Sequence, residues 1–363
     1  VHMATVERHG SAWFKPDRIV TNGPYRLREW KIDDRILLEA NPDYWDAANV
    51  RMKTVEVRPS SDPNTALNYF HTGLCDLLMD KGMVPPTLTQ KLKTKPYFHT
   101  GPFLGTWFIR LNVTKPPFHD IRVRRAFGLA IDKRRITEKI TNLGEPIAHG
   151  LVPAGAGQNY PGLETQAQNI QEARRLLAEA GYPGGKGFPT VEYLHIPLAV
   201  ERNIAVELQA MWQDALGVNI SLSKQEQKTW LTSMRELTYQ MTRSSWVGDY
   251  NDPNTFLEMF LTGSGNNRTG WTSASYDALI REAATEPDPA KRTEILLKAE
   301  RLLVLEEAPI LPVYHYVGVQ FYHAERLGGV KANLIDDHPF RCMYWKPQIS
   351  QPSASLPGRD GLK

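Results

Sequence analysis

The stretch from residue 191 to residue 243 limits the fold more than any other part of the chain. After Gly187-Phe-Pro-Thr, the run Val191-Glu-Tyr-Leu-His195 has the composition of a strand. Residues 201–215 carry helical periodicity, and Val218-Asn-Ile-Ser-Leu222 reads as a second strand. Two strands joined through a helix by short connections pair in parallel, which predicts an α/β lobe. Tyr239-Gln-Met-Thr-Arg243 reads as the next strand. Residues 246–249 then emerge at the mouth beyond the carboxyl ends of the strands, where ligands of such sheets lie.

The segment in that mouth is Arg243-Ser-Ser-Trp246-Val-Gly-Asp249-Tyr-Asn-Asp-Pro253. It sets one carboxylate among aromatic, small and turn-forming residues, a few positions after a cation, which suits capture of a zwitterion rather than bond breaking. A carboxylate in a partly dry pocket needs a cationic partner, because left unpaired it costs several kcal/mol or takes up a proton. A ligand ammonium is one such partner. The same letters also describe an ordinary turn capped by a solvated Asp249. Both readings stand on this segment alone.

At 363 residues the chain exceeds what one hydrophobic core supports, so two lobes are expected. A hydrophobic fraction of 41% with 23% charged residues is that of a soluble globular protein. A net charge of +3 is too small to argue for nucleic acid or a membrane surface, and no apolar run approaches the roughly 18 residues of a membrane span. Lys133-Arg-Arg135, with Glu138 one turn on, reads as a solvated helix face. Cys75 and Cys342 have no metal-binding spacing; one long-range disulfide and two buried thiols are both open.

Catalytic patterns are missing. There is no Gly-x-Ser-x-Gly elbow, His-Glu-x-x-His helix, phosphate-binding glycine loop or paired-cysteine knuckle, and the ten histidines are scattered. His315, between Tyr314 and Tyr316, reads as a packed or surface histidine. No catalytic residue, metal or cofactor is expected.

The scaffold is legible elsewhere too. Tyr25-Arg-Leu-Arg-Glu-Trp30 and Arg35-Ile-Leu-Leu-Glu39 alternate as a hairpin, and Val55-Glu-Val-Arg58 is a short strand. Ser60-Ser-Asp-Pro-Asn-Thr65 starts a helix that puts Ala66, Leu67 and Phe70 on one face. Residues 120–142 carry the i, i+4 apolar pairs of one helix. Residues 171–180 form another, closed by Gly181.

These landmarks, in order, resemble a known family. Val20-Thr-Asn-Gly-Pro-Tyr-Arg-Leu27, Glu39-Ala-Asn-Pro-Asp-Tyr-Trp45, Pro117-Phe-His-Asp-Ile-Arg-Val-Arg-Arg-Ala126, Ala130-Ile-Asp132, Glu172-Ala-Arg-Arg-Leu-Leu-Ala-Glu-Ala-Gly-Tyr182 and Leu311-Pro-Val-Tyr-His-Tyr316 bracket the Asp249 loop. The chain is identified by them as a member of the family 5 extracellular solute-binding proteins, the oligopeptide and dipeptide binders of bacterial ABC importers. The resemblance implies a periplasmic-binding-protein type II fold of two α/β lobes joined by a two-segment hinge. Residues 1–104 with 317–350 would form the main lobe, 105–316 the second and 351–363 a flexible tail rich in Ser, Pro and Gly. The chain would cross between lobes near Phe103-Leu-Gly-Thr-Trp107 and Tyr314-His-Tyr316. Residue 1 aligns after the first small domain of a typical member, so the N-terminal part, including any export signal, is expected to be missing and the main lobe incomplete.

The resemblance also implies roles. Short peptide would bind between the lobes, with Asp249 on its α-ammonium, Arg235 and Arg243 toward its carboxyl end, and Trp246, Val247, Gly248, Tyr316 and Phe108 around its side chains. Either arginine also suits a structural ion pair. Glu201 stands where relatives can carry a histidine that reaches longer peptides, Gln227 where they have a tryptophan, and Thr141 where a lysine serves carboxylates; this favours tripeptides or basic peptides. Gly105 and Val247 match positions that a disulfide joins in some relatives. The implied partners are the ABC-importer permease subunits, with the binder a monomer in the periplasm or a lipoprotein at the cell surface. The alternative is a nonpeptide ligand such as a nickel chelate, haem or opine, or a signalling or murein peptide.

Overall fold

The computed structural model describes residues 1–157, 159–164 and 167–347. The tail expected over residues 351–363 lies outside them. Strands β1 (Tyr25–Lys31) and β2 (Arg35–Ala40) form the expected hairpin, and β3 (Thr54–Val57) adds antiparallel to β2. The connection turns at Asp33, whose φ of 59° is a left-handed conformation that Asp tolerates.

A second sheet carries the rest. Its strands are β4 (Leu77–Leu78), β5 (Phe98–Leu111), β6 (Val191–His195), β7 (Ile220–Lys224), β8 (Met241–Val247) and β9 (Ile310–Tyr322), in the order β4-β9-β5-β8-β6-β7. β6 pairs in parallel with both β7 and β8, as the strand, helix, strand reading requires. The crossover helix is Ala199–Leu216, which buries Ile204, Leu208 and Trp212 and stops at Gly217, φ 70°. β8 runs four residues beyond the strand expected at 239–243, so Trp246 and Val247 belong to the sheet and the mouth opens only at Gly248.

β5 and β9 are the long central strands, and alternation on β5 feeds a separate core on each face. Trp107, Ile109 and Leu111 enter one core with Phe127, Trp212 and Val313. Leu104 and Phe108 enter the other with Phe256, Phe260 and Ile310. Each of these fully buried large side chains stabilises the fold by roughly 1.5–3 kcal/mol. A third core, Leu67, Phe70, Val84, Leu92, Leu143, Val319 and Phe321, packs at the other end of β9. Between these regions the pairing of β5 with β9 slips, at Pro102 to Thr106.

Two local expectations are corrected. Residues 120–142 are not one helix: Ile121–Leu129 ends, and a new turn, Lys133–Ile136, begins where Asp132 accepts a hydrogen bond from Arg135 N. An Asp that can cap a backbone N–H competes with helix continuation, and here it wins over the apolar periodicity. Nor is Lys133 part of a solvated face. Its Nζ donates to Ala148 O at 2.6 Å, and burial pulls its pKa down to about 8, while Arg134 stays exposed and Arg135 pairs with Glu207. By contrast Ile170–Glu179, capped by Asn169 and followed by Gly181 at φ 99°, lies within a residue of its expected bounds. Cys75 and Cys342 are both free thiols, Cys342 exposed.

Candidate ligand-binding site

Gly248 ends β8 by close approach. Its N–H donates to Leu104 O at 2.8 Å, and a Cβ there would lie 2.7 Å from Leu104 Cδ2, so the backbone comes this near only without a side chain. Val247, one residue earlier, faces Gly105 directly across β5 and β8. The two positions matched to a crosslink in relatives are therefore true neighbours, without cysteines. A Cβ on Gly105 would meet the Tyr316 ring at 2.7 Å.

The turn that follows is built by other residues than Asp249. Asp252 accepts from Asn254 N at 2.8 Å and is held by Arg292 through two contacts of 2.8 and 2.9 Å. Asn251 Oδ1 accepts from Gly157 N at 2.9 Å. Asp249 contributes its backbone N–H, which donates to Thr255 Oγ1 at 3.1 Å. Its carboxylate is exposed and has no hydrogen bond or ion pair among the described residues. It lines a cavity of about 480 Å³ with Trp246, Thr255, Glu258 and Met259. Glu258 accepts from Tyr250 Oη and Asn254 Nδ2, both at 2.9 Å, and Trp246 Nε1 is buried with no acceptor. A cavity with an uncommitted carboxylate and an aromatic wall suits an organic ammonium.

Arg243 and Glu201 form a second group. Arg243 Nη2 donates to Glu201 Oε1 at 2.8 Å, with only 11% and 6% of the two side chains exposed. Trp107 Nε1 donates to both Glu201 oxygens, at 3.2 and 3.3 Å. The Arg243 guanidinium also lies 5.2 Å from the centre of the Trp230 ring, and its Nε is buried without an acceptor. Burial alone would pull the Arg243 pKa down, but Glu201, then Tyr316, outweigh it and the pKa is raised. Tyr316 lies in this group; burial, opposed by Arg243, pushes its phenol up to about 12.

The remaining expected residues fall elsewhere. Arg235 is exposed at the end of helix Gln227–Arg235, with no carboxylate paired to it among the described residues. The Arg268 guanidinium, its pKa depressed by burial, is depressed further by Arg235. Phe108 is completely buried, against the Phe260 ring and the Arg110 guanidinium, so it stands in a core and not on the cavity wall. His315 is packed: its Nδ1 lies 2.8 Å from Thr106 Oγ1, and burial, with Lys133 nearby, pulls its pKa down to about 3.

Two polar residues of this region escape sequence reasoning. Arg110 is buried with no carboxylate partner among the described residues, its Nε donating to Ser244 Oγ at 2.9 Å, and burial pulls its pKa down to about 10. Trp107 has an apolar position's alternation and gives no hint that its N–H serves Glu201. The pairing of β5 beside β8 reveals the first role, and the crossover helix packed against β5 reveals the second.

Comparison with known proteins agrees with this architecture. The profile of "Bacterial extracellular solute-binding proteins, family 5 Middle" matches residues 2–268. The "Periplasmic oligopeptide-binding protein OppA" of Escherichia coli K12 is 34% identical over 352 residues, covering 95% of this chain and 64% of that protein. The structure of the Escherichia coli murein tripeptide binding protein MppA superposes with a TM-score of 0.87 at 31% identity, over 96% of this chain and 69% of the other. The unliganded open form of the same protein gives 0.68 over 95% and 67%. The mixed α/β fold is thus of the periplasmic-binding-protein type II kind. The chain spans less than two thirds of the length of the OppA it matches.

Proposed function

The chain belongs to the bacterial extracellular solute-binding proteins, family 5, and on that premise we propose that it captures short peptides and delivers them to the permease subunits of an ABC importer, as a monomer in the periplasm or tethered at the cell surface, making and breaking no bond. The observation that carries this reading is the Asp249 carboxylate, free of any protein partner among the described residues, in a cavity beside Trp246 at the carboxyl end of β8. It takes the peptide α-ammonium, a charge-assisted contact that requires a free N-terminus. Trp246, Val247 and Gly248 line the bound backbone, and Tyr316 and Phe108 support the walls behind them. Arg235, exposed and without a carboxylate partner among the described residues, meets the carboxyl end where the ligand reaches it.

Two lobes, 105–316 and 1–104 with 317–350, close on the peptide by bending at the strand crossings. Separate cores on either side of the slipped pairing at Pro102 to Thr106 support this division, as does the lower similarity to the open form of MppA. The test is mass spectrometry of ligand released from the purified protein, followed by calorimetry of trialanine and N-acetyl-trialanine. Recovery of peptide and a clear preference for the free amine are expected. Recovery of a metal chelate or haem without peptide, or equal binding of the two tripeptides, would remove this function.

A further inference from the structure

Resting on the peptide-binding reading, we propose that Glu201 sets specificity by neutralising Arg243, so that Arg243 does not act as a receptor for a ligand carboxylate. The guanidinium is one of two charged groups in a closed unit. One of its nitrogens is committed to Glu201 at 2.8 Å, and Glu201 is fixed from behind by Trp107 Nε1 on both oxygens. The carboxylate cannot swing away without leaving the indole N–H without an acceptor and the guanidinium without its anion in the core, which is costly for buried groups. The face of Arg243 toward Trp230 is covered by that ring, and its Nε is buried. A ligand carboxylate arriving here would have to displace one anion from a dry site while repelled by it. A neutral stretch of peptide backbone or a cationic side chain meets no such penalty. Sequence position alone would give Arg243 the opposite role.

The experiment compares the ratio of the dissociation constants of trialanine amide and trialanine, by calorimetry, in three proteins. In Glu201→Gln the guanidinium loses its anion, and the ratio should rise by about tenfold or more over wild type in favour of the free acid. In the double variant Glu201→Gln with Arg243→Met the pair is removed as a whole, a change that buried pairs tolerate. Its ratio should stay within about twofold of wild type. A tenfold fall of the ratio in the double variant, or an unchanged ratio in a folded Glu201→Gln, overturns the proposal. If Glu201→Gln does not fold, the double variant decides alone. Failure of both tripeptides to bind wild type would overturn the peptide-binding reading and this inference together, whereas binding with the wrong ratios would overturn this inference only.

Discussion

Glu300 holds Tyr160 by a hydrogen bond of 2.6 Å from the phenol to Oε2, while its other oxygen accepts from Val152 N at 2.8 Å. A side chain on Gly150 would collide with it, since a Cβ there would lie 2.3 Å from Oε1. The carboxylate thus pins the segment that reaches Gly157 and, through it, the Asn251 side chain two residues after Asp249.

Burial raises the Glu300 pKa from 4.5 to about 7, opposed by the hydrogen bonds from Tyr160 and the backbone. A carboxyl with a raised folded pKa binds its proton more tightly in the native state, so its stabilising contribution is complete below about pH 4.5 and is lost as pH rises to about 7. The size is ~3 kcal/mol. His315, pulled down to about 3, gives a slope of opposite sign over part of that window, so the difference between proteins is what counts. Glu300→Gln should flatten the stability of the variant relative to wild type between pH 4.5 and 7, as read by urea unfolding at pH 5 and pH 8. Parallel profiles would show that Glu300 does not titrate in this range.

Asp249→Asn keeps the shape of the cavity wall and removes its charge. Affinity for trialanine should fall by about 1.5–3 kcal/mol, the range for a hydrogen bond to a charged group, and N-acetyl-trialanine should bind wild type and variant alike. Calorimetry on the four combinations measures both effects. A variant that keeps wild-type affinity would return Asp249 to a solvated loop.

Glu201→Ala leaves the Arg243 guanidinium uncompensated in the core and should cost about 3–5 kcal/mol of stability. Adding Arg243→Met should restore much of that loss by removing the uncompensated charge, with the remainder reflecting the Trp107 Nε1–H that loses its acceptor. Denaturant unfolding of the two singles and the double gives the coupling directly. Additive losses would mean that the two side chains do not depend on each other.

Gly248→Ala should destabilise by about 1–3 kcal/mol, since the new methyl falls 2.7 Å from Leu104 Cδ2 and 3.2 Å from Thr255 Cγ2, and Leu104 is itself packed in a core. Because Thr255 also receives Asp249 N, trialanine affinity should weaken in the same variant. A thermal midpoint unchanged from wild type would mean that the loop moves aside freely.

Local order in the sequence was enough to determine the strand, helix, strand unit and its hairpin companion. Alternation and helical spacing are carried by neighbouring residues, and caps such as Asn169 and Gly217 mark their own boundaries. The mouth after β8 was legible for the same reason, as a run of turn formers following a strand. The break at Asp132 was not, because a capping side chain and an apolar repeat compete and the sequence does not show which wins. Only the tertiary structure decided what the charges do. Glu201 and Arg243 are 42 residues apart, and Trp107 is 94 from Glu201; β5 and β8 must pair, and the crossover helix must lie across them, before the three meet. Asp249, two residues beyond the sheet, stays without a partner among the described residues because Asp252 and Asn251 build its turn, and a contact left unmade is a property of the folded chain alone.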